Sequence, residues 1–136
     1  MPRLVLLLLP TLLACTPLVG EWEGPLRCGD VNEEVAFELE WNGEEYEGEG
    51  VVSYQGQAAG TDVDIEVEFS LVVDGAPDED GVLDVDAESE SCSYAIAGGS
   101  LEFDCVLDVD DGNTFTWDRA DAIDVRGNCE GRISRS

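Results

Sequence analysis

Oily and acidic side chains alternate along most of this chain, and the alternation has a period of two. Val35, Phe37, Leu39 and Trp41 share one parity, with Glu34, Glu38 and Glu40 on the other. A longer run follows, in which Val63, Ile65, Val67, Phe69, Leu71 and Val73 alternate with Asp62, Asp64, Glu66 and Glu68. Successive side chains of a β-strand point to opposite faces, so each run predicts a strand with one dry face and one wet face. Leu83, Val85 and Ala87 form another inward set, and the parity shifts before Cys92, Tyr94 and Ile96. A change of phase within one strand predicts a β-bulge inside residues 88–91. Trp22, Leu26 and Cys28 share a face in the first strand. Ile123, Val125, Cys129 and Ile133 share one in the last, expected from residue 122 to about residue 133.

Turn residues set the expected registers. Asn42-Gly43 is a strong two-residue hairpin signal, because both positions of the favoured turn need positive φ. It predicts Leu39 opposite Tyr46 and Phe37 opposite Gly48, an aromatic ring covering a glycine on the next strand. A second two-residue turn at Gly98-Gly99 sets Ile96 against Leu101, Tyr94 against Phe103 and Cys92 against Cys105. Cysteines facing each other at such a non-hydrogen-bonded pair have Cα atoms ~4.5 Å apart, within reach of a disulfide. Asp110-Asp111-Gly112 fits a three-residue loop that pairs Leu107 with Phe115 and Cys105 with Trp117.

The hairpin register predicts Cys92–Cys105, which leaves Cys28–Cys129 to join the first and last strands. Two other connectivities, Cys28–Cys92 with Cys105–Cys129 and Cys28–Cys105 with Cys92–Cys129, fit the same sequence. About eight consecutive strands, each with one apolar face, predict an all-β antiparallel up-and-down meander. With its ends tied together it should close into a small barrel. A two-sheet β-sandwich satisfies the same pattern.

The amino-terminal residues break this rhythm. One basic residue, Arg3, precedes an apolar run over residues 4–13, and Ala14-Cys15 follows. The run is too short for a bilayer core, which needs ~20 apolar residues, and its layout is that of a secretory signal. Leu12-Leu13-Ala14-Cys15 resembles the lipobox of bacterial lipoproteins. That resemblance implies a signal peptide at 1–14, acylation of Cys15, a short tether over 15–19 and a β domain over 20–136. Removing Cys15 from the count leaves four cysteines, an even set. Thr16, where an aspartate would signal inner-membrane retention in enteric bacteria, points to an outer membrane. The cell envelope is also oxidising enough for the disulfides.

The precursor carries a formal charge of -26, and loss of Arg3 with the leader would make it -27. Such a surface repels nucleic acid and favours divalent cations or a basic protein as partner. The chain contains neither histidine nor lysine, so the common general bases and the Schiff-base nucleophile are absent. With its mature-domain cysteines assigned to disulfides, a non-enzymatic role is expected. Asp74, Asp78, Glu79 and Asp80 form one oxygen-rich turn, and Asp108, Asp110 and Asp111 another. Neither has EF-hand spacing. Asp78, Asp80, Asp108, Asp110 and Asp111 are weak Ca²⁺ candidates, and no other cofactor is expected.

Gly20-Glu21-Trp22 resembles the Gly-x-Trp opening of the calycins, the group of lipocalins and avidins. The resemblance implies an eight-stranded meander barrel with tryptophan at its base. In lipocalins an arginine from the end of the barrel packs over that ring. Here Arg126 and Arg132 lie in the last strand with outward parity. The functional expectation is a monomeric, membrane-anchored structural or protein-interaction module. The second reading is a barrel that binds a small hydrophobic ligand or a divalent cation, with Gly48 and Gly50 leaving room beside Phe37 and Val35.

Overall fold

The computed structural model describes residues 16–58, 60–96, 99–103 and 112–136. Ten strands make up almost all of it: β1 (Gly20–Cys28), β2 (Val31–Trp41), β3 (Glu45–Ala58), β4 (Thr61–Asp74), β5 (Val82–Leu83), β6 (Val85–Ile96), β7 (Gly99–Phe103), β8 (Asn113–Trp117), β9 (Ala122–Gly127) and β10 (Cys129–Arg135). They form a single antiparallel sheet in the order β5-β8-β9-β10-β1-β2-β3-β4-β6-β7. β5 bonds β8 at one end of that order, and β6 bonds β4 near the other. Only Asp84 separates β5 from β6, so one continuous stretch of chain joins the two ends. The sheet therefore curls into a half-barrel. One sheet wrapped on itself, not two facing sheets, encloses the core.

The alternation works as expected. Val35 and Leu39 are buried, Phe37 packs against the core, and Glu34, Glu38 and Glu40 are exposed. Val67, Phe69, Leu71 and Val73 are all buried in β4. The bulge also falls within the expected interval. Glu68 pairs with Ser91 while Phe69 pairs with Ser89, so Glu90 is the extra residue.

The registers differ from expectation in a regular way. Trp41 pairs with Tyr46, Leu39 with Gly48 and Phe37 with Gly50. Asn42 does not adopt the positive φ of a two-residue turn. Its Oδ1 instead accepts the Glu44 and Glu45 N–H groups, both at 2.9 Å, which lengthens the turn. The aromatic-over-glycine contact survives one glycine further along. A Cβ on Gly50 would lie 2.6 Å from Phe37 Cβ and 2.7 Å from Phe69 Cζ, so this glycine is required by close approach and leaves no room for a ligand.

β7 is displaced similarly. Ile96 pairs with Gly99, Tyr94 with Leu101 and Cys92 with Phe103, because Gly99 opens the strand and does not belong to the turn. Moving a turn by one residue shifts every partner by two, which preserves the faces.

Two strand boundaries are corrections. The expected last strand is two strands, β9 and β10, which pair Val125 with Gly131 and Ile123 with Ile133. Gly127, at φ +133°, reverses the chain between them. Leu107 and Cys105, the expected partners of Phe115 and Trp117, lie outside the described residues. At Phe115 both edges of β8 are taken, by Leu83 and Val125, because the segment that closes the sheet occupies the edge where Leu107 is expected from the sequence.

Faces rather than registers carry the stability. Leu39→Ala should cost about 2–5 kcal/mol by opening a cavity in the core. Glu38→Gln, on the next residue, should stay within about 0.5 kcal/mol of the parent or exceed it. Urea denaturation of both variants checks this, and equal losses would contradict the assignment of faces.

Candidate functional site

The sheet has two chemically different ends. At the base, where β1 begins, Trp22 is 1% exposed and its Nε1 donates to the Leu18 carbonyl at 2.9 Å. Leu18 is itself fully buried. The Arg135 guanidinium lies over the Trp22 ring, 4.4 Å from its centroid. The same guanidinium donates to the Val19 carbonyl at 2.5 Å and to the Pro17 carbonyl, and its Nε donates to Asp121 Oδ1 at 3.1 Å. Residues 16–19, expected to be a short tether, are thus built into the base.

Arg135 was not singled out by the sequence reading, although it shares the parity of Ile133. Arg126 and Arg132 are exposed. Arg132 bridges Asp118 at 2.5 Å and Asp124 at 3.0 Å. The Ala120 N–H first, and then Arg132, hold the Asp118 carboxyl below its ordinary range.

Trp41 also lies at the base. It is 36% exposed and set edge-on to Tyr46 with ring centroids 5.0 Å apart. Its parity is inward, but it sits at the last position of β2, where its ring reaches past the core.

At the opposite end, the mouth, Cys28 and Cys129 face each other on β1 and β10 and form a disulfide across a sequence separation of 101 residues. The Cys129 N–H donates to Asn113 Oδ1 at 2.7 Å. Cys92 is buried and disulfide-bonded. Its expected partner, Cys105, lies outside the described residues, as do Cys15, Asp108, Asp110 and Asp111.

The mouth holds a second residue that the sequence reading missed. Glu33 is in phase with Val35 and Leu39, so the strand directs it inward. It stands between Leu26 on β1 and Tyr54 on β3. A carboxylate oxygen of Glu33 lies within 4.8 Å of both disulfide sulfurs. Burial pushes the Glu33 carboxyl above its ordinary pKa. Burial, and then the Glu33 charge, push the Tyr54 phenol up. The register continues this row through Ile65, Tyr94 and Leu101.

Between the two ends the core is nearly full. The apolar space among Leu26, Phe37, Phe69, Leu83 and Phe115 amounts to about 30 Å³. A drug-sized ligand needs roughly 300–1,000 Å³, so the interior itself is not a calyx for one.

The calcium candidates that are described do not assemble. Asp78 Oδ1 accepts the Asp80 and Val82 N–H groups, both at 2.9 Å, and so caps its own loop. Among the described residues, the one trio of metal-capable side chains within 4.8 Å is Cys28, Glu33 and Cys129, and two of these are joined in the disulfide. Outside, the acids face one another: Glu21 pairs with Glu38, Glu38 with Glu49, and Glu40 with Glu47.

No protein-family model matches this chain, nor does any curated protein or solved structure.

Two measurements check the electrostatics. The Glu33 pKa is raised on folding, so the folded state holds its proton between the unfolded and folded pKa values. Stability should fall as pH rises through that interval. Glu33→Gln should flatten this dependence and raise Tm at neutral pH, and an unchanged pH profile would contradict it. Like charges directly opposite on adjacent strands are destabilising, so added NaCl or CaCl₂ should raise Tm of the parent. A flat or falling salt titration would count against a strained outer face.

Proposed function

We propose that this protein is an acidic lipoprotein of the bacterial cell envelope, held on its membrane through acylated Cys15, and that it acts as a non-catalytic structural or protein-interaction module. The observation that carries this reading is Leu12-Leu13-Ala14-Cys15 followed, with no spacer, by a segment built into the base of the sheet. Leu18 is buried and Arg135 holds the carbonyls of Pro17 and Val19, so an anchor on Cys15 would seat the domain directly against the lipid. Two or more acyl chains give stable anchoring where a single chain is marginal.

The absence of histidine and lysine, and the outward position of most acids, support a non-catalytic role. The charge of -26 favours a basic protein or divalent cations as partner, and disfavours nucleic acid. The stacking of Arg135 on Trp22 supports the likeness to calycins, with Arg135 in the role for which Arg126 and Arg132 were considered. Under this reading the second disulfide is Cys92–Cys105, and the protein is a monomer at the outer membrane.

Intact-mass analysis of the protein from its host's membranes tests the anchor. The expected species begins at Cys15 and carries diacylglycerol on the thiol. Cys15→Ser should move the protein from the membrane fraction to the soluble envelope fraction. An unmodified Cys15 in membrane-bound protein would overturn the proposal.

A further inference from the structure

We propose that the mouth row centred on Glu33 binds a small organic cation with an apolar body, such as a primary aryl- or alkylammonium. The inference goes beyond the anchoring role and does not depend on it.

Three observations converge on this row. The first is placement. On the inner face, Glu33 takes a position that its strand otherwise gives to Val35, Phe37 and Leu39. Register sets it beside Tyr54, then Ile65, then Tyr94 across β2, β3, β4 and β6. The second is lack of compensation. Glu33 is half-buried, yet among the described residues it accepts no hydrogen bond and pairs with no arginine. Arg27, near the same end, donates instead to the Gly29 carbonyl at 3.3 Å. A partly desolvated carboxylate without a counter-ion is costly, and a cation of matching size relieves that cost.

The third is composition. Tyr54 and Ile65 pack against the top of the core, and the row is only partly covered, whereas the layer beneath it is filled. An ammonium group can contact both the carboxylate and an aromatic face, which attracts cations within about 6 Å of its centroid. The apolar part of the ligand would lie along Ile65 and the tyrosine rings.

The same geometry disfavours a bare metal ion. Glu33 offers one carboxylate, and the other two metal-capable atoms near it are bonded to each other in the disulfide. Calcium requires six to eight oxygens. The outer acids are more numerous, but they lie on an open convex face where they pair with one another, as Glu38 with Glu49 and Glu40 with Glu47. They attract cations diffusely, whereas Glu33 combines charge, partial burial and an aromatic neighbour.

The test uses the oxidised full chain at physiological salt, with benzylamine as probe and benzyl alcohol as its neutral counterpart. NMR titration should show saturable shifts of the Tyr54 and Tyr94 ring signals with benzylamine, and at least about tenfold weaker binding of benzyl alcohol. Glu33→Gln should weaken benzylamine about tenfold while preserving the fold, seen in unchanged core methyl signals. Glu38→Gln, on the outer face, should leave the affinity as it is. If the Glu33→Gln spectrum is disturbed, Tyr54→Leu serves as the second variant and should also weaken the amine. Non-saturable shifts, equal effects of the Glu33 and Glu38 substitutions, or equal binding of alcohol and amine would each overturn the proposal. An unmodified Cys15 in membrane-bound protein, with the titration unchanged, would refute the anchor alone.

Discussion

A sheet with one oily face must hide that face, and the described residues include no helix and no second sheet to cover it. The remaining solution is for the sheet to bend until the face covers itself. Other features follow from that need. β5 and β6 become two parts of one strand because the chain must change partner, from β8 to β4, where the ends of the sheet meet. The bulge at Glu90 adds twist to the strand that carries out the closure. The Cys28–Cys129 bond ties β1 to β10 across a long loop. In the chain-entropy model, a crosslink spanning about 100 residues restricts the unfolded state by about 4–5 kcal/mol.

Curvature also explains why the outer surface can be so acidic. On the convex side neighbouring carboxylates splay apart and face water, while the concave side draws in Val, Leu and Phe. The cross-strand glutamate pairs still oppose one another, so the sheet holds despite its surface charge. Glu33 is the exception that tests this division of labour, because its strand phase carries a carboxylate to the concave side.

Much of this was legible from the sequence, and the reason is specific. Side-chain parity depends only on counting by two, so the buried set Val35, Leu39, Val67, Phe69, Leu71 and Val73, and the bulge near Glu90, could be read directly. Partners depend on turn geometry, and there the reading slipped by two residues at Asn42, whose side chain caps a longer turn, and at Gly99, which joins its strand. The division of the last strand at Gly127 was hidden because Val125 and Cys129 keep one parity across the reversal. Arg135 and Glu33 lay in plain phase with Ile133 and Val35. Neither stands out in the alternation, because a charged side chain at an inward position interrupts the oily pattern that marks that face. Closure through Asp84 had no local signal, since it is a property of the whole sheet.

The built-in segment at the base has a mechanical consequence. A tug applied at residue 16 would enter the domain through Leu18 and the guanidinium of Arg135, and would load β1 along its length. Hydrogen bonds between antiparallel strands lie across the strand direction, so such a load shears many of them together and does not unzip them singly. At the far end of β1 the Cys28–Cys129 bond hands the remaining force to β10 covalently. A domain wired in this way resists being pulled open from its amino-terminal end.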